Sequence, residues 1–259
     1  MERLLKLFGV YKLYENRLKA SIMKGRIPGH IGIILDGNRR WAVMKGLEAN
    51  YGHEEGANRV EELLDWCHEL GVKTVTLYVL STENLKREPK ELSHLISLIE
   101  KRLEKLLKDE RIYRYGIKVK AIGKIELLPE TISSLVKEIE KRTETHESHY
   151  LNIALAYGGR SEIADAMRSL ALDVKSGKIN PEQIDEELVA ERLYTAYLPN
   201  QEPDLIIRTS GEERMSGFML WQAAYSELVF IDAFWPDFRF IDLMRAIRTY
   251  QKRVRRYGL

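Results

Sequence analysis

The chain reads as an α/β protein with a central, mainly parallel sheet flanked by helices, and three observations predict it. From residue 30 onward, short apolar and β-branched runs alternate with longer stretches of helical periodicity. The first run, from His30 to Leu35, is apolar and mostly β-branched, as in a buried strand. Each pair of runs is separated by enough residues for a crossover helix, the connection that parallel strands require. At 259 residues and 44% hydrophobic content the length fits one large domain with a short appendage.

In chain order, His30-Ile31-Gly32-Ile33-Ile34-Leu35 is the first strand, and it stops on Asp36-Gly37-Asn38-Arg39-Arg40-Trp41. A loop with Gly46, Asn50 and Gly52 follows. Ala57, Val60, Leu63, Leu64, Cys67 and Leu70 then recur at helical spacing, with Gly71 as the terminating residue. Residues 72–80 predict a second strand, ending on Ser81-Thr82-Glu83-Asn84-Leu85-Lys86-Arg87. Leu92, Leu95, Ile96, Ile99, Leu103, Leu106 and Leu107 make one face of a helix over 91–110, either core or one wall of a hydrophobic tunnel. A strand at 117–122 and a helix near 130–145 come next. The strand 150–157 ends on Gly158-Gly159-Arg160, with Ser161 as the cap of the following helix and Gly177 beyond its end. Residues 178–203 read as a short helix and a Pro-bounded loop. Residues 204–207 form a strand leading into Arg208-Thr209-Ser210-Gly211-Glu212-Glu213-Arg214-Met215-Ser216. A short helix at 218–226, a last strand at 228–231 and a basic helix from about Phe240 complete the chain.

Composition removes several function classes. Forty-one basic and 39 acidic residues leave a formal charge of +2, so no bulk field points to nucleic acid. The one cysteine, Cys67, excludes an internal disulfide or a cysteine-based metal site, and suits a reducing compartment. Cys67 lies on an apolar helical face and is core, not nucleophile. His146 and His149 lack partners at a zinc spacing and read as loop residues. No run reaches the length of a membrane span. Residues 1–26 carry seven Lys/Arg against Glu2 and Glu15, with leucines between them. That is an amphipathic helical extension, which lies on a membrane surface or packs on the domain or a second subunit.

The chemistry gathers at strand ends, where open α/β sheets bind ligands. Asp36 is a hard oxygen ligand suited to Mg²⁺. Gly37 lets backbone N–H groups approach an anion, and Arg39 and Arg40 can grip phosphate bidentately. His53, which the reading sets at a helix start, is a further anion contact or a plain surface residue. With Arg87, Arg208 and Arg214 the three clusters hold five arginines, enough for two diphosphates rather than one phosphate. Neither a G-x-x-x-x-G-K-[ST] loop nor a G-x-G-x-x-G fingerprint is present, so nucleotide folds gain no support.

These motifs resemble the cis-prenyltransferases, the (Z)-polyprenyl diphosphate synthases that include undecaprenyl diphosphate synthase. His30 to Trp41 is similar to the first signature of that family; Ser81-Thr82-Glu83-Asn84, Tyr157-Gly158-Gly159-Arg160, Arg208 to Glu212 and Trp221 to Leu228 are similar to later ones, over about residues 28–256. The Asp-Asp-x-x-Asp motif of trans-prenyltransferases is missing; the chain has no Asp-Asp pair. The resemblance implies repeated, Mg²⁺-dependent condensation of isopentenyl diphosphate onto an allylic diphosphate, geranylgeranyl or farnesyl diphosphate, giving a long Z-polyprenyl diphosphate for a glycosyl carrier lipid. It implies catalytic roles for Asp36 and Asn84 and metal roles for Asp36 and Glu227. Substrate binding falls to Gly37, Asn38, Arg39, Arg40, Trp41, His53, Ser81, Thr82, Glu83, Arg87, Arg208, Arg214 and Ser216. It also implies a homodimer, in the cytoplasm or peripheral at a membrane, with residues 27–259 as one catalytic domain.

Departures from the bacterial pattern are Ala49 for an arginine, Glu213 for a histidine and Leu85 for an aromatic residue. Arg39 and Thr82 bring the chain nearer archaeal or eukaryotic members. Two other readings stand beside the processive enzyme: a short-chain enzyme or one using another acceptor, and a non-catalytic partner subunit. Retained Asp36, Asn84, Arg208 and Arg214 speak against the last.

Overall fold

The apolar runs form six strands in a computed structural model that describes residues 9–253. They are β1 (His30–Ile34), β2 (Thr74–Tyr78), β3 (Ile117–Ile122), β4 (His149–Ala154), β5 (Leu205–Arg208) and β6 (Glu227–Phe230). They make one sheet in the order β3-β4-β2-β1-β5-β6, and every neighbouring pair is parallel. The helices are α1 (Val10–Ile22), α2 (Asn38–Met44), α3 (Ala49–Glu69), α4 (Pro89–Leu107), α5 (Glu110–Arg114), α6 (Glu130–Arg142), α7 (Gly159–Lys175), α8 (Glu186–Ala190) and α9 (Phe240–Lys252).

Every residue of β1, β2 and β5 is buried, which is why their sequences do not alternate. Ile31, Ile33, Val75, Leu77, Leu205 and Ile207 share one core with Leu63 of α3, Ile99 of α4, Ile132 of α6 and Ile247 of α9. Ile34, Tyr78 and Ile206 pack in a second core with Tyr157, Phe218 and Met219. Gly32 is small for a reason: a Cβ there would lie 2.9 Å from the Phe218 ring.

The register carries the site. Ile34 at the end of β1 sits beside Tyr78 of β2 and Arg208 of β5. The chain leaves β1 for β2 on one side and returns to β5 on the other. Beyond the carboxyl end of β1 it therefore opens a crevice at a topological switch point.

Several local expectations are corrected. The stretch read as a loop before Ala57 is helical: α2 covers 38–44, and α3 begins at Ala49, so Asn50 and Gly52 are inside it. Gly52 and Gly56 are not breakers. A Cβ on Gly52 would come within 2.0 Å of the Asn38 carbonyl oxygen, and one on Gly56 within 2.4 Å of Asn38 Oδ1. Helix α2 crosses α3 only because both are glycine. Ser161 is not a cap, since α7 starts two residues earlier with Gly158 at the N-cap. Residues 218–226 form bends and turns with no helix. Strand β2 is shorter than 72–80, and β4 starts at His149 and ends at Ala154, where the chain bends toward the site.

Residues 1–8 of the amphipathic extension lie outside the described residues. In α1, Leu18 and Ile22 join the main core, and the helix packs on α9. Leu13, Tyr14 and Met23 remain exposed. Among the described residues no helix is long and apolar enough to cross a membrane.

Candidate active site

Asp36 leaves β1 two residues after Ile34, and its backbone is held from both sides. Its N–H donates to Thr209 Oγ1 (3.1 Å), Thr209 Oγ1 donates to its carbonyl (2.7 Å), and Trp235 N–H donates to the same carbonyl (3.0 Å). The carboxylate is fixed by two arginines: Arg208 Nη2 donates to Oδ2 at 2.7 Å and Arg40 Nη2 to Oδ1 at 3.2 Å. Burial disfavours its charge, but the Arg208 hydrogen bond and charge, with Arg40 and Ser210, outweigh it. The carboxyl is held below the usual range. Arg208 also donates to Ser216 Oγ at 2.6 Å and to the Arg214 carbonyl. Ser210 (φ 77°) and Ser216 (φ 47°), both on the loop that follows β5, adopt left-handed backbone, a strained choice for serine.

The second cluster is a tight turn. Ser81 N–H donates to Asn84 Oδ1 at 3.0 Å, and Asn84 N–H donates to Ser81 Oγ at 3.2 Å. With Oδ1 so engaged, the Nδ2–H₂ donors of Asn84 are what it has left to offer. Arg87 and His53 meet on Glu91, whose Oε1 accepts from Arg87 Nη1 at 2.8 Å and lies 3.4 Å from His53 Nε2. Burial lowers the His53 pKa, partly offset by Glu91. His53 sits a full turn inside α3, not at its first free N–H groups as the sequence suggested.

A cleft of about 620 Å³ joins these groups, lined by Asp36, Asn38, His53, Ser81, Thr82, Glu83, Asn84, Arg87, Arg208 and Ser216. Leu35, Asn38, His53, Val79 and Leu95 also line a second, largely apolar cavity of about 170 Å³ under α3 and α4. The faces that meet it are Ala57, Val60 and Leu64 of α3 and Leu95, Leu98, Ile99, Leu103 and Leu106 of α4. Leu92 and Ile96, counted with that face in the sequence, do not line it; α4 turns part of its apolar stripe toward α6.

Other expected site residues stand elsewhere. Glu227 is not beside Asp36. It is the first residue of β6, level with Leu205 near the opposite edge of the sheet, and it pairs with Arg253 at 2.9 Å. Trp41 is 8% exposed and packs beneath Lys45, whose ammonium lies 4.0 Å from the ring centroid. Gly37 (φ 105°) is required by the turn and by Phe234, 2.6 Å from where its Cβ would sit. Arg39 is 71% exposed and reaches Glu91 at 3.8 Å. Arg40 stays on the rim, bonded to Asp36, to Ser210 Oγ at 2.7 Å and to Glu212 at 2.9 Å. Arg214 leans on Glu212.

Glu91, Tyr78 and Leu220 carried no obvious sequence signal, because their roles are contacts with residues far along the chain; Glu212 stood in the Arg208 to Glu212 motif, but its pairing with Arg40 did not show there. Gly158, Gly159 and Arg160 did stand in a visible motif. Arg160 lines the cleft without a partner among the described residues. Among the described residues no group of three or more His, Cys, Asp and Glu is placed to hold a metal. Asp36 alone would supply one carboxylate, a hard oxygen donor that suits a divalent cation such as Mg²⁺.

A parallel sheet with a carboxylate and paired arginines at its switch point, opening onto an apolar cavity, defines an enzyme for an anionic substrate with a hydrocarbon tail. The family model described as "Putative undecaprenyl diphosphate synthase" matches residues 34–258, and the chain belongs to that family, the cis-prenyltransferases. It is similar to the tritrans,polycis-undecaprenyl-diphosphate synthases (geranylgeranyl-diphosphate specific) of Methanopyrus kandleri and Archaeoglobus fulgidus. Identity to the first is 51% over 96% of this chain and 91% of that protein, and to the second 52% over 94% and 96%. Among solved structures it is similar to lavandulyl diphosphate synthase from Lavandula x intermedia in complex with dimethylallyl diphosphate. That match has a TM-score of 0.87 and 34% identity, over 90% of this chain and 99% of the other. A "probable undecaprenyl diphosphate synthase" from Campylobacter jejuni matches at TM-score 0.73 and 26% identity, over 90% and 100%. The protein is a prenyl-transferring enzyme of the cis type.

Proposed function

We propose that this enzyme is Mg²⁺-dependent and processive, adding isopentenyl diphosphate repeatedly to an allylic primer to make a long Z-polyprenyl diphosphate, the precursor of a glycosyl carrier lipid. Geranylgeranyl diphosphate is the favoured primer, because relatives near 50% identity over almost the whole chain carry that specificity in their names. The observation that carries the reading is the Asp36–Arg208–Ser216 array facing the Asn84–Arg87 turn across one cleft that continues into an apolar cavity.

In each cycle the allylic C–O bond breaks, a C–C bond forms to isopentenyl diphosphate, and one proton leaves the new unit. Arg40, Arg87 and His53 bind the allylic diphosphate on the β1 and β2 side. Arg208, Arg214 and Ser216 bind isopentenyl diphosphate on the β5 side. The two diphosphates then lie side by side with their tails oriented for attack. Asp36 would hold Mg²⁺, which when bound supplies charge stabilisation for the departing diphosphate. Asn84 is a neutral amide with its oxygen already engaged, so it orients a diphosphate through Nδ2–H rather than acting as base. The departing diphosphate would then take the proton. Glu227 has no part in the metal site of its own subunit. The enzyme acts as a homodimer and meets the membrane peripherally when it releases its product.

One experiment tests the reading. The protein is incubated with radiolabelled isopentenyl diphosphate and a panel of allylic primers, with and without chelator, and products are resolved by length. Long products that need both the metal and a primer support it. A single addition to every primer would favour the short-chain alternative, to which the likeness to lavandulyl diphosphate synthase lends weight.

A further inference from the structure

The turn that carries Ser216 into the cleft is strained, and something must hold it. Ser216 (φ 47°) and Gly217 (φ 79°) are successive left-handed residues, and a serine keeps such backbone only where its surroundings enforce it. Two carbonyl contacts do so. The Gly217 carbonyl accepts from Gly159 N–H, at the start of α7, at 2.7 Å. The Ser216 carbonyl accepts from the Tyr78 hydroxyl at 3.3 Å, and among the described residues no other donor is placed on it. Tyr78 is a rigid post for that contact. It is the last residue of β2, and it is buried. Its ring stacks on Phe218 (centroids 4.9 Å apart, planes at 19°) and meets Tyr157 edge-on (5.8 Å, 87°). The hydroxyl also lies 3.3 Å from the Tyr157 carbonyl, but that carbonyl already accepts from Thr82 N–H at 3.0 Å. A phenol has one proton to donate, so Ser216 is the partner that depends on it. Burial, with Glu83 nearby, raises the phenol's pKa and keeps it a donor at neutral pH.

We infer that Tyr78 is a positioning residue for isopentenyl diphosphate: its hydroxyl anchors the Ser216 carbonyl and so keeps Ser216 Oγ between Arg208 and the cleft. The inference rests on the assignment of Arg208, Arg214 and Ser216 to that substrate. Ser216 Oγ accepts from Arg208 Nη1 at 2.6 Å, which leaves the serine O–H to donate into the cleft that Ser216 lines. Without the Tyr78 hydroxyl, the Ser216 carbonyl loses its donor in a part-buried setting, and the strained backbone loses what opposes its relaxation. Leaving the left-handed region turns Oγ away from Arg208, and the guanidinium then keeps only Asp36 and the Arg214 carbonyl. The effect falls on one substrate. Arg40, Arg87 and His53, on the primer side, take their partners from Asp36, Ser210, Glu212 and Glu91, and none of those contacts passes through Tyr78.

The test is the steady-state kinetics of the first condensation, with each substrate varied in turn. Tyr78→Phe removes one oxygen and leaves the ring between Phe218 and Tyr157, so circular dichroism still reports a folded chain. KM for isopentenyl diphosphate rises about tenfold, as expected for one lost hydrogen bond, while KM for the primer and kcat at saturating isopentenyl diphosphate stay within about twofold. A general loosening of the core would instead move both Michaelis constants or kcat. A double-mutant cycle locates the effect. Ser216→Ala raises the same KM, and Tyr78→Phe added to it raises that KM little further, because the hydroxyl being positioned is already gone. An unchanged KM in Tyr78→Phe, equal effects on both substrates, or increments that multiply in the double variant would overturn the inference and leave the site assignment standing. Arg208→Ala and Ser216→Ala variants that raise only the primer's KM would refute the assignment itself, and the inference with it.

Discussion

Arg208 shows how a single side chain organises the chemistry. Its guanidinium is 5% exposed, yet it reaches Asp36, Ser216 Oγ and the Arg214 carbonyl at once. The planar fork of arginine can do this and a lysine cannot, so Arg208→Lys should fail almost as badly as Arg208→Ala. Arg208→Ala should raise KM for isopentenyl diphosphate more than KM for the primer, while Arg40→Ala should do the reverse. Steady-state kinetics with each substrate varied in turn decides this, and equal effects on both would refute two separate diphosphate sites. Asp36→Ala should lower turnover by about a thousandfold or more, in line with the loss of a preorganised charge at the reacting centre. Circular dichroism should still report a folded chain. Full activity of that variant in chelator would contradict the assignment.

At the scale of an element, α4 has two tasks in one stripe. Leu95, Ile99 and Leu103 belong to the main core and also line the apolar cavity, so core and tunnel wall are not alternatives for these residues. Each buried CH₂ is worth about 0.8 kcal/mol, which is why a lined path retains an intermediate better as it grows. Ile99→Trp, placed deeper than Leu95, should truncate the product distribution at a longer chain than Leu95→Trp does. Chromatography of dephosphorylated products measures this; identical truncation by both, in folded proteins, would argue against a chain lying along α4. Melting points should drop in both variants, since overpacking costs about 1–3 kcal/mol.

For the molecule as a whole, His30 couples the sheet to pH. It is buried in β1, with Nε2 2.7 Å from Thr76 Oγ1, and burial, opposed by Asp204, pushes its pKa down to about 4. The unfolded chain binds a proton near pH 6.5 and the folded one does not until about pH 4, so stability is full above 6.5 and falls with acidification between those values. At about 1.36 kcal/mol per pKa unit the loss is on the order of 3 kcal/mol. Urea titrations across that range should show it, and His30→Gln, which can keep the Thr76 contact, should remove that part of the slope. A slope unchanged by the substitution would assign the acid sensitivity elsewhere.

How much of this was legible beforehand depends on whether a feature is local. The apolar runs His30–Ile34 and Leu205–Arg208, the parallel architecture and the clusters after Asp36, Ser81 and Arg208 could be read from the chain, because strand character and polar punctuation are properties of neighbouring residues. The identity of Asp36, Asn84 and Arg208 as one site followed from family motifs and from the rule that ligands bind at strand carboxyl ends. Gly52 misled the reading of a loop through Gly46, Asn50 and Gly52, since a glycine needed for a close helix crossing looks the same in sequence as one that breaks a helix. Glu227 shows a similar limit: position along the chain does not say which edge of the sheet a residue occupies, and parallel register puts it level with Leu205, away from Asp36 of its own subunit. The pairing of His53 with Glu91, and of Glu61 with Arg102 and Lys105, joins residues from two different helices. Sequence by itself therefore determined which residues carry charge, acid and hydrocarbon surface, and only the tertiary structure decided which of them meet, because a through-space contact is set by how helices pack on the sheet and not by any pattern within one of them.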